Sequence, residues 1–355
     1  MSQYLVLSHI SVQNANSIAG LTWGFPAITN FLGFTHALSR KISVKYKGAY
    51  ETELTGCAVI SHTVQNKVYQ PKKYSDFEFL QSKNPPVLAK HKNASPPIIE
   101  EGKMNLTVSL VIELAESLTL NTEQVKQFES LVSNHCTSMR LAGGTILDID
   151  HIKLLSASTQ VQQKQMLRKI KRLTMPGFAL LDRSDYLDEH FQTLLAKADD
   201  QQSHTLMDAW LDFAALKSKA VPLLKEGQAI ADENTPAQWI YLPKPKTGYL
   251  VPLMTGYKAI SEPDDPGKVL NTRDSETNSC FVEAIHSVGE WKGTHAIESI
   301  RDIIWRYNHD GQWYLCTQRH PALSVDKVDK VASVSPDSEE IQFNNMNDAL
   351  NFLGR

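Results

Sequence analysis

Met104-Asn105-Leu106-Thr107-Val108-Ser109-Leu110-Val111-Ile112-Glu113-Leu114 decides how the first half of this chain folds. Leu106, Val108, Leu110, Ile112 and Leu114 occupy every second position and so share one face of an extended strand, while Asn105, Thr107, Ser109 and the less polar Val111 take the other. Such a strand needs a layer over its apolar face, and the next stretch offers one. Asn121 and Gln124 stand three apart as a capping pair for a helix that carries Val125, Phe128, Leu131, Val132 and Cys136 along one side and stops near Met139. Gly143-Gly144 then leads into another strand at Thr145-Ile146-Leu147.

Upstream, Tyr4-Leu5-Val6-Leu7 through Ile10 and Val12 reads as a first strand closed by a polar turn from Gln13 to Ser17. Pro26 suits the opening of a helix over about Ala27 to Arg40, with Phe31, Phe34, Ala37 and Leu38 at helical spacing, and a short strand is expected around Cys57 to Ile60. The order strand, helix, strand, strand, helix, strand over residues 1–150 is the ferredoxin-like order. The expected fold class is therefore α+β: a ferredoxin-like, RNA-recognition-motif-like domain with a long insertion, followed by a mixed helical and strand C-terminal half over 151–320. Because that order also serves enzymes and other binding folds, it assigns no function alone.

The insertion, about 66–101, holds Pro71, Pro85, Pro86, Pro96 and Pro97 together with Lys67, Lys72, Lys73, Lys83, Lys90 and Lys92. Phe77, Phe79 and Leu80 within it need a surface to bury against, which points to a projecting finger docked on a partner. Beyond 151, Gln162 to Leu173 is an amphipathic helix with Lys164, Arg168, Lys171 and Arg172 on one arc and Met166, Leu167, Ile170 and Leu173 on the other. That basic arc reads either as solvated surface or as a phosphate contact. A further helix is expected over Thr205 to Leu216, and 321–355 is a polar, acidic tail extension.

Composition narrows the partners. A formal net charge of −3 leaves no global cationic field, so any nucleic-acid site is a local patch. Cys57, Cys136, Cys280 and Cys316 are far apart with no Cys-x-x-Cys pair, which suits free thiols in a reducing, cytoplasmic setting and argues against a zinc ribbon. The apolar start at Met1 to Val12 is too short to span a bilayer and lacks a basic leader, so no membrane association is expected. No His-Glu-x-x-His, phosphate-binding glycine loop or Gly-x-Ser-x-Gly elbow occurs. Asp148, Asp150 and His151 read as a polar segment rather than a metal site, so no metal and no cofactor are expected.

The candidates are RNA-binding ones. Asn14 and Asn16 offer donors and acceptors for base edges, or else two Asx turns that hold their loop. Arg140 places a cation beside the permissive backbone of Gly143 and Gly144. Trp23 and Phe25 are either base-stacking rings or core.

At these residues the chain resembles the Csy-two family, the Cas-five-type subunit of type I-F CRISPR surveillance complexes. The similar runs include Ser11-Val12-Gln13-Asn14-Ala15-Asn16, Leu21-Thr22-Trp23-Gly24-Phe25-Pro26, Phe31-Leu32-Gly33-Phe34-Thr35-His36-Ala37-Leu38 and Met139-Arg140-Leu141-Ala142-Gly143-Gly144. They continue with Pro176-Gly177-Phe178-Ala179-Leu180, Gly248-Tyr249-Leu250-Val251-Pro252, Asn271-Thr272-Arg273-Asp274 and Gly289-Glu290-Trp291. The resemblance implies a non-catalytic subunit that binds the 5′ handle of the CRISPR RNA, pairs with the large subunit, abuts the repeating backbone subunit and meets double-stranded DNA targets through the complex. His36 and Arg273 join the RNA-binding candidates through those runs. Two other readings stay open: a repeat-RNA endoribonuclease using His36 or Tyr46, and a protein-only scaffold.

Overall fold

The computed structural model describes residues 2–83, 100–197, 203–223, 235–270, 272 and 274–318, so Arg273 and the expected tail at 321–355 lie outside the described residues. The chain is α+β. Strand β1 (Ser2–Asn16), helix α1 (Ile28–Ile42), strands β2 (Leu54–Asn66) and β3 (Glu100–Leu114), helix α2 (Thr122–Thr137), the short β4 (Arg140–Leu141) and β5 (Gly144–Ala157) follow one another in the expected order. Across the sheet β5 neighbours β1, β1 neighbours β3, and β3 neighbours β2, all antiparallel.

The strands are longer than the apolar pattern suggests. β1 continues through the stretch expected to be a turn, because bulges after Leu7 and after Val12 absorb its polar residues into the ladder, with His9 and Asn14 in the left-handed backbone region. β2 extends well past Ile60: Ser61 to Asn66 pair with Val108 to Met104 although no hydrophobic alternation marks them. A strand also runs straight across position 150, where the sequence suggests a division.

One face of the sheet, through Leu5, Leu7, Leu110 and Ile112, packs on Phe31 and Leu38 of α1 and Phe128 and Val132 of α2. Burying each such side chain contributes roughly 1.5–3 kcal/mol. The Asn121 and Gln124 capping box forms in both directions, each bond 2.9 Å. The other face explains why Val111 breaks the polar alternation. Helix α3 (Gln160–Thr174), opened by a Thr159 and Gln162 capping box, lays Met166 and Ile170 over Tyr4, Val6, Ile60 and Val111.

The second half is built on the free edge of β2. There β11 (Trp305–Asp310) pairs at Gly56 and Cys57, and β6 (Phe178–Asp182) pairs at Ile60 and Ser61. From β6 the hydrogen bonding passes to β10 (Val282–Gly293), β9 (Leu250–Ala259), β12 (Trp313–Thr317) and back to β11, closing a circuit of strands. Trp305 is buried inside it, its indole N–H donating to Leu180 O at 3.0 Å. Helices α4 (Ser184–Lys197) and α5 (Leu206–Ala214) cover the circuit through Leu187, Trp210 and Phe213, and β7 (Ser218–Pro222) pairs with β8 (Ala237–Tyr241) as a separate hairpin.

In the insertion, Val68–Tyr69 pairs with Glu78–Phe79 and Gln81–Lys83 with the start of β3, while 84–99 lies outside the described residues. All four cysteines are free, and burial pushes the thiols of Cys57, Cys136 and Cys316 up to about 12. Among the described residues no helix is long and apolar enough to cross a membrane.

Candidate nucleic-acid interface

The hairpin between β4 and β5 is built from the Met139 to Gly144 run. Its two loop residues, Ala142 and Gly143, both have positive φ, 49° and 75°, as a tight hairpin matching the right-handed strand twist requires. Asn16 N–H donates to Ala142 O at 2.8 Å and ties the loop to the end of β1. Gly144 has no room for a side chain: a Cβ there would stand 2.7 Å from Ala15 N and Gln13 O. Around Gly143, by contrast, the space is open. The hairpin, exposed at Arg140 and Gly143 and buried at Leu141 and Ala142, faces α1 across a groove of about 380 Å³ lined by Gly33, Ala37, Phe34 and Met139 and by the cations Lys41 and Arg140. The groove thus joins small residues, which let a polymer backbone approach closely, with two positive charges.

A second feature is a cleft of about 480 Å³ between the first half and the strand circuit. The turn Thr22 to Pro26 forms one wall and Ser61, His62, Val64 and Asn66 of β2 another, while Leu180, Val251, Leu253 and Trp291 lie at its base. Trp23 stacks on Phe79 of the insertion at 4.5 Å, and Phe25 stacks on Phe31 and meets Trp291 edge-on. These rings are therefore structural walls as well as cleft lining.

On the sheet face that carries α3, the part beyond the helix is polar. Ser11, Gln13, Thr63, Gln65, Asn105 and Thr107 surround a shallow depression. Nearby, Asn14 N–H donates to Asn105 Oδ1 at 3.1 Å and the Lys67 ammonium donates to Asn14 Oδ1. Where this face meets α3, the His9 and His62 rings stack 3.9 Å apart. Pro176 O is 2.6 Å from His62 Nδ1 and can only accept, so Nδ1 carries the proton and Nε2 accepts from the Ser109 hydroxyl, also at 2.6 Å. Burial, ahead of the neighbouring charges, holds His62 below the usual imidazole range.

A family model for CRISPR-associated protein (Cas_Csy2) matches residues 5–316. The chain belongs to that family. A CRISPR-associated protein Csy2 of Pseudomonas aeruginosa (strain UCBPP-PA14) is 31% identical over 314 residues, spanning 86% of this chain and 91% of the relative.

In this Csy2-family chain the candidates read from the sequence fall on several surfaces. Arg140 and Gly143 share the groove with Lys41; Trp23 lies in the cleft; Asn14 lies on the polar face. Asn16 forms an Asx turn, its side chain bonded to Ile18 N and Ile18 O, and Gly144 is required by packing. His36 is exposed on α1, and nothing is described of the Tyr46 side chain. On α3, Arg168 and Arg172 are exposed, Lys171 donates to His295 O at 2.8 Å, and Lys164 lines a cleft shared with Glu298. Among the described residues no group of three or more potential metal ligands comes together. Sequence reasoning missed Lys41, which carries no motif, and missed Phe178, Tyr249 and Trp291 as parts of one site, because only folding brings those runs together.

Proposed function

We propose that this Csy2-family chain is a non-catalytic subunit of the type I-F Csy surveillance complex, working in the cytoplasm. It grips the 5′ handle of the CRISPR RNA, pairs with the large subunit, abuts the repeating backbone subunit and meets double-stranded DNA through the assembly. Residues 1–150 then act as a ferredoxin-like RNA-binding domain with the finger at about 66–101, and 151–320 as the region that completes it. The observation that carries this reading is the groove between α1 and the rigid hairpin, where Lys41 and Arg140 join the small residues Gly33 and Ala37. A phosphodiester strand fits such a groove because its charge needs cations and its backbone needs close approach.

The test is guide binding by the assembled complex across a salt series, comparing wild type with Lys41→Ala plus Arg140→Ala. Two lost phosphate contacts should lower the salt-slope magnitude by about 1.4. Parallel salt lines would remove the groove from the interface, and absence of any crosslink between this chain and guide RNA would favour a protein-only scaffold. Site-specific cleavage of repeat RNA by the purified chain, lost on His36→Ala, would overturn the non-catalytic role.

A further inference from the structure

We infer that the cleft between the Thr22 to Pro26 turn and the strand circuit receives one unstacked nucleobase of the guide strand, a reading that rests on the RNA-binding role proposed above. Among the described residues no Lys, Arg, Asp or Glu lines the cleft. Its one ionisable ring beyond the tyrosine is His62, whose two nitrogens are already committed to Pro176 O and Ser109 Oγ. The site therefore suits a neutral, planar group and excludes a phosphate or a charged side chain.

The walls are pre-formed. Trp23 is fixed between Phe79 and the Gly102 backbone, where a Cβ would stand 2.5 Å from the indole, and Phe25 is held by Phe31 and Trp291. Two further rings at the cleft have free surface: Phe178 is 50% exposed and Tyr249 is 75% exposed. Among the described residues no hydrogen bond or ring contact holds the Tyr249 side chain, so it is available to close on an occupant. Thr22, Ser61 and Asn66 add neutral polar groups to an otherwise apolar lining.

An aliphatic side chain from a protein partner would fill such a space without using the flat free faces of Phe178 and Tyr249. A base uses them, since every base has two π faces, and its sugar and phosphate remain outside where charge is solvated. The volume, about 480 Å³, accommodates a purine or a pyrimidine.

The experiment uses the assembled complex and guide RNAs in which each handle nucleotide in turn is abasic, bound by wild type, Tyr249→Ala and Tyr249→Phe, with the thermal midpoint as a folding control. Loss of one stacked base should weaken guide binding by about 5- to 150-fold. The expected result is a single handle position at which the abasic guide binds more weakly to wild type but suffers no further loss in Tyr249→Ala, while Tyr249→Phe behaves as wild type. If abasic losses at every position add to the Tyr249→Ala loss, or if Tyr249→Ala binds guide normally, the cleft holds no base. Loss of the large subunit on Tyr249→Ala with guide affinity unchanged would also overturn the inference and assign the cleft to a protein side chain. In all these cases a salt slope still lowered by Lys41→Ala plus Arg140→Ala leaves the RNA-binding role standing. Guide binding unaffected by both sets of variants removes that role as well.

Discussion

Helix α3 and the β4–β5 hairpin both advertise cations in the sequence, yet the structure uses them differently. On α3 one cation of the basic arc is spent on the protein itself, Lys171 donating to His295 O, while the opposite side of the helix closes the sheet through Met166 and Ile170. At the hairpin a single Arg140 stands on β4 next to a loop tied by Asn16 and packed at Gly144, and it shares a groove with Lys41. On the proposed reading, then, cation count is a poorer guide to a polyanion site than the rigidity and shape of the backbone that presents the charge.

The largest effect that tests this contrast is expected on α3. Ile170 is fully buried, so Ile170→Ala should cost about 2–5 kcal/mol in chemical denaturation. A neutral outcome would mean that α3 is not a structural cover and would free its basic arc for binding. Next comes Gly144→Val, expected to destabilise by about 1–3 kcal/mol because the new side chain meets β1 backbone. Gly143→Ala, in open space, should cost only about 1–2 kcal/mol for its left-handed conformation. Equal losses at the two glycines would deny the difference between a packed and an open position.

In guide binding the ranking should reverse. Against the slope change of about 1.4 expected for Lys41→Ala plus Arg140→Ala, Arg168→Ala plus Arg172→Ala should give about 0.7, one phosphate's worth. A larger change at α3 than at the groove would invert the comparison. The smallest effect concerns pH. His62 joins β2 to the segment after α3, and its folded pKa lies below the ordinary 6.5, so the unfolded chain takes up the proton first. Its contribution is complete above pH 6.5 and is lost as pH falls below that value toward the folded pKa. His62→Gln should flatten the stability profile in that window, and an unchanged profile would remove His62 from it.

Much of the first half was legible because its signals are local. The alternation in Met104 to Leu114, the Asn121 and Gln124 box and the apolar arc of α3 each specify an element from adjacent residues. The polar ends of β1 and β2 were not legible, since their hydrogen bonds come from partners and not from their own pattern. The strand circuit was hidden for the same reason: nothing near Phe178 or Trp305 says that both will share an edge with β2. Of the candidate site, Arg140 and the glycine pair were readable as a local motif, whereas Lys41 and the cleft depend on contacts between distant runs.

That shared edge has a consequence for biosynthesis. β2 leaves the ribosome long before its partners, since Ile60 and Ser61 wait for Phe178 and Ala179, and Gly56 and Cys57 wait for Trp305 and Arg306. At roughly 5–20 residues per second the last pairing arrives about 10–50 seconds after β2 is made. Through that interval the nascent chain carries an unpaired strand edge in an apolar setting, the kind of surface that invites association with other chains. Yield in the cell should therefore depend on translation speed and chaperone supply over the stretch between those residues.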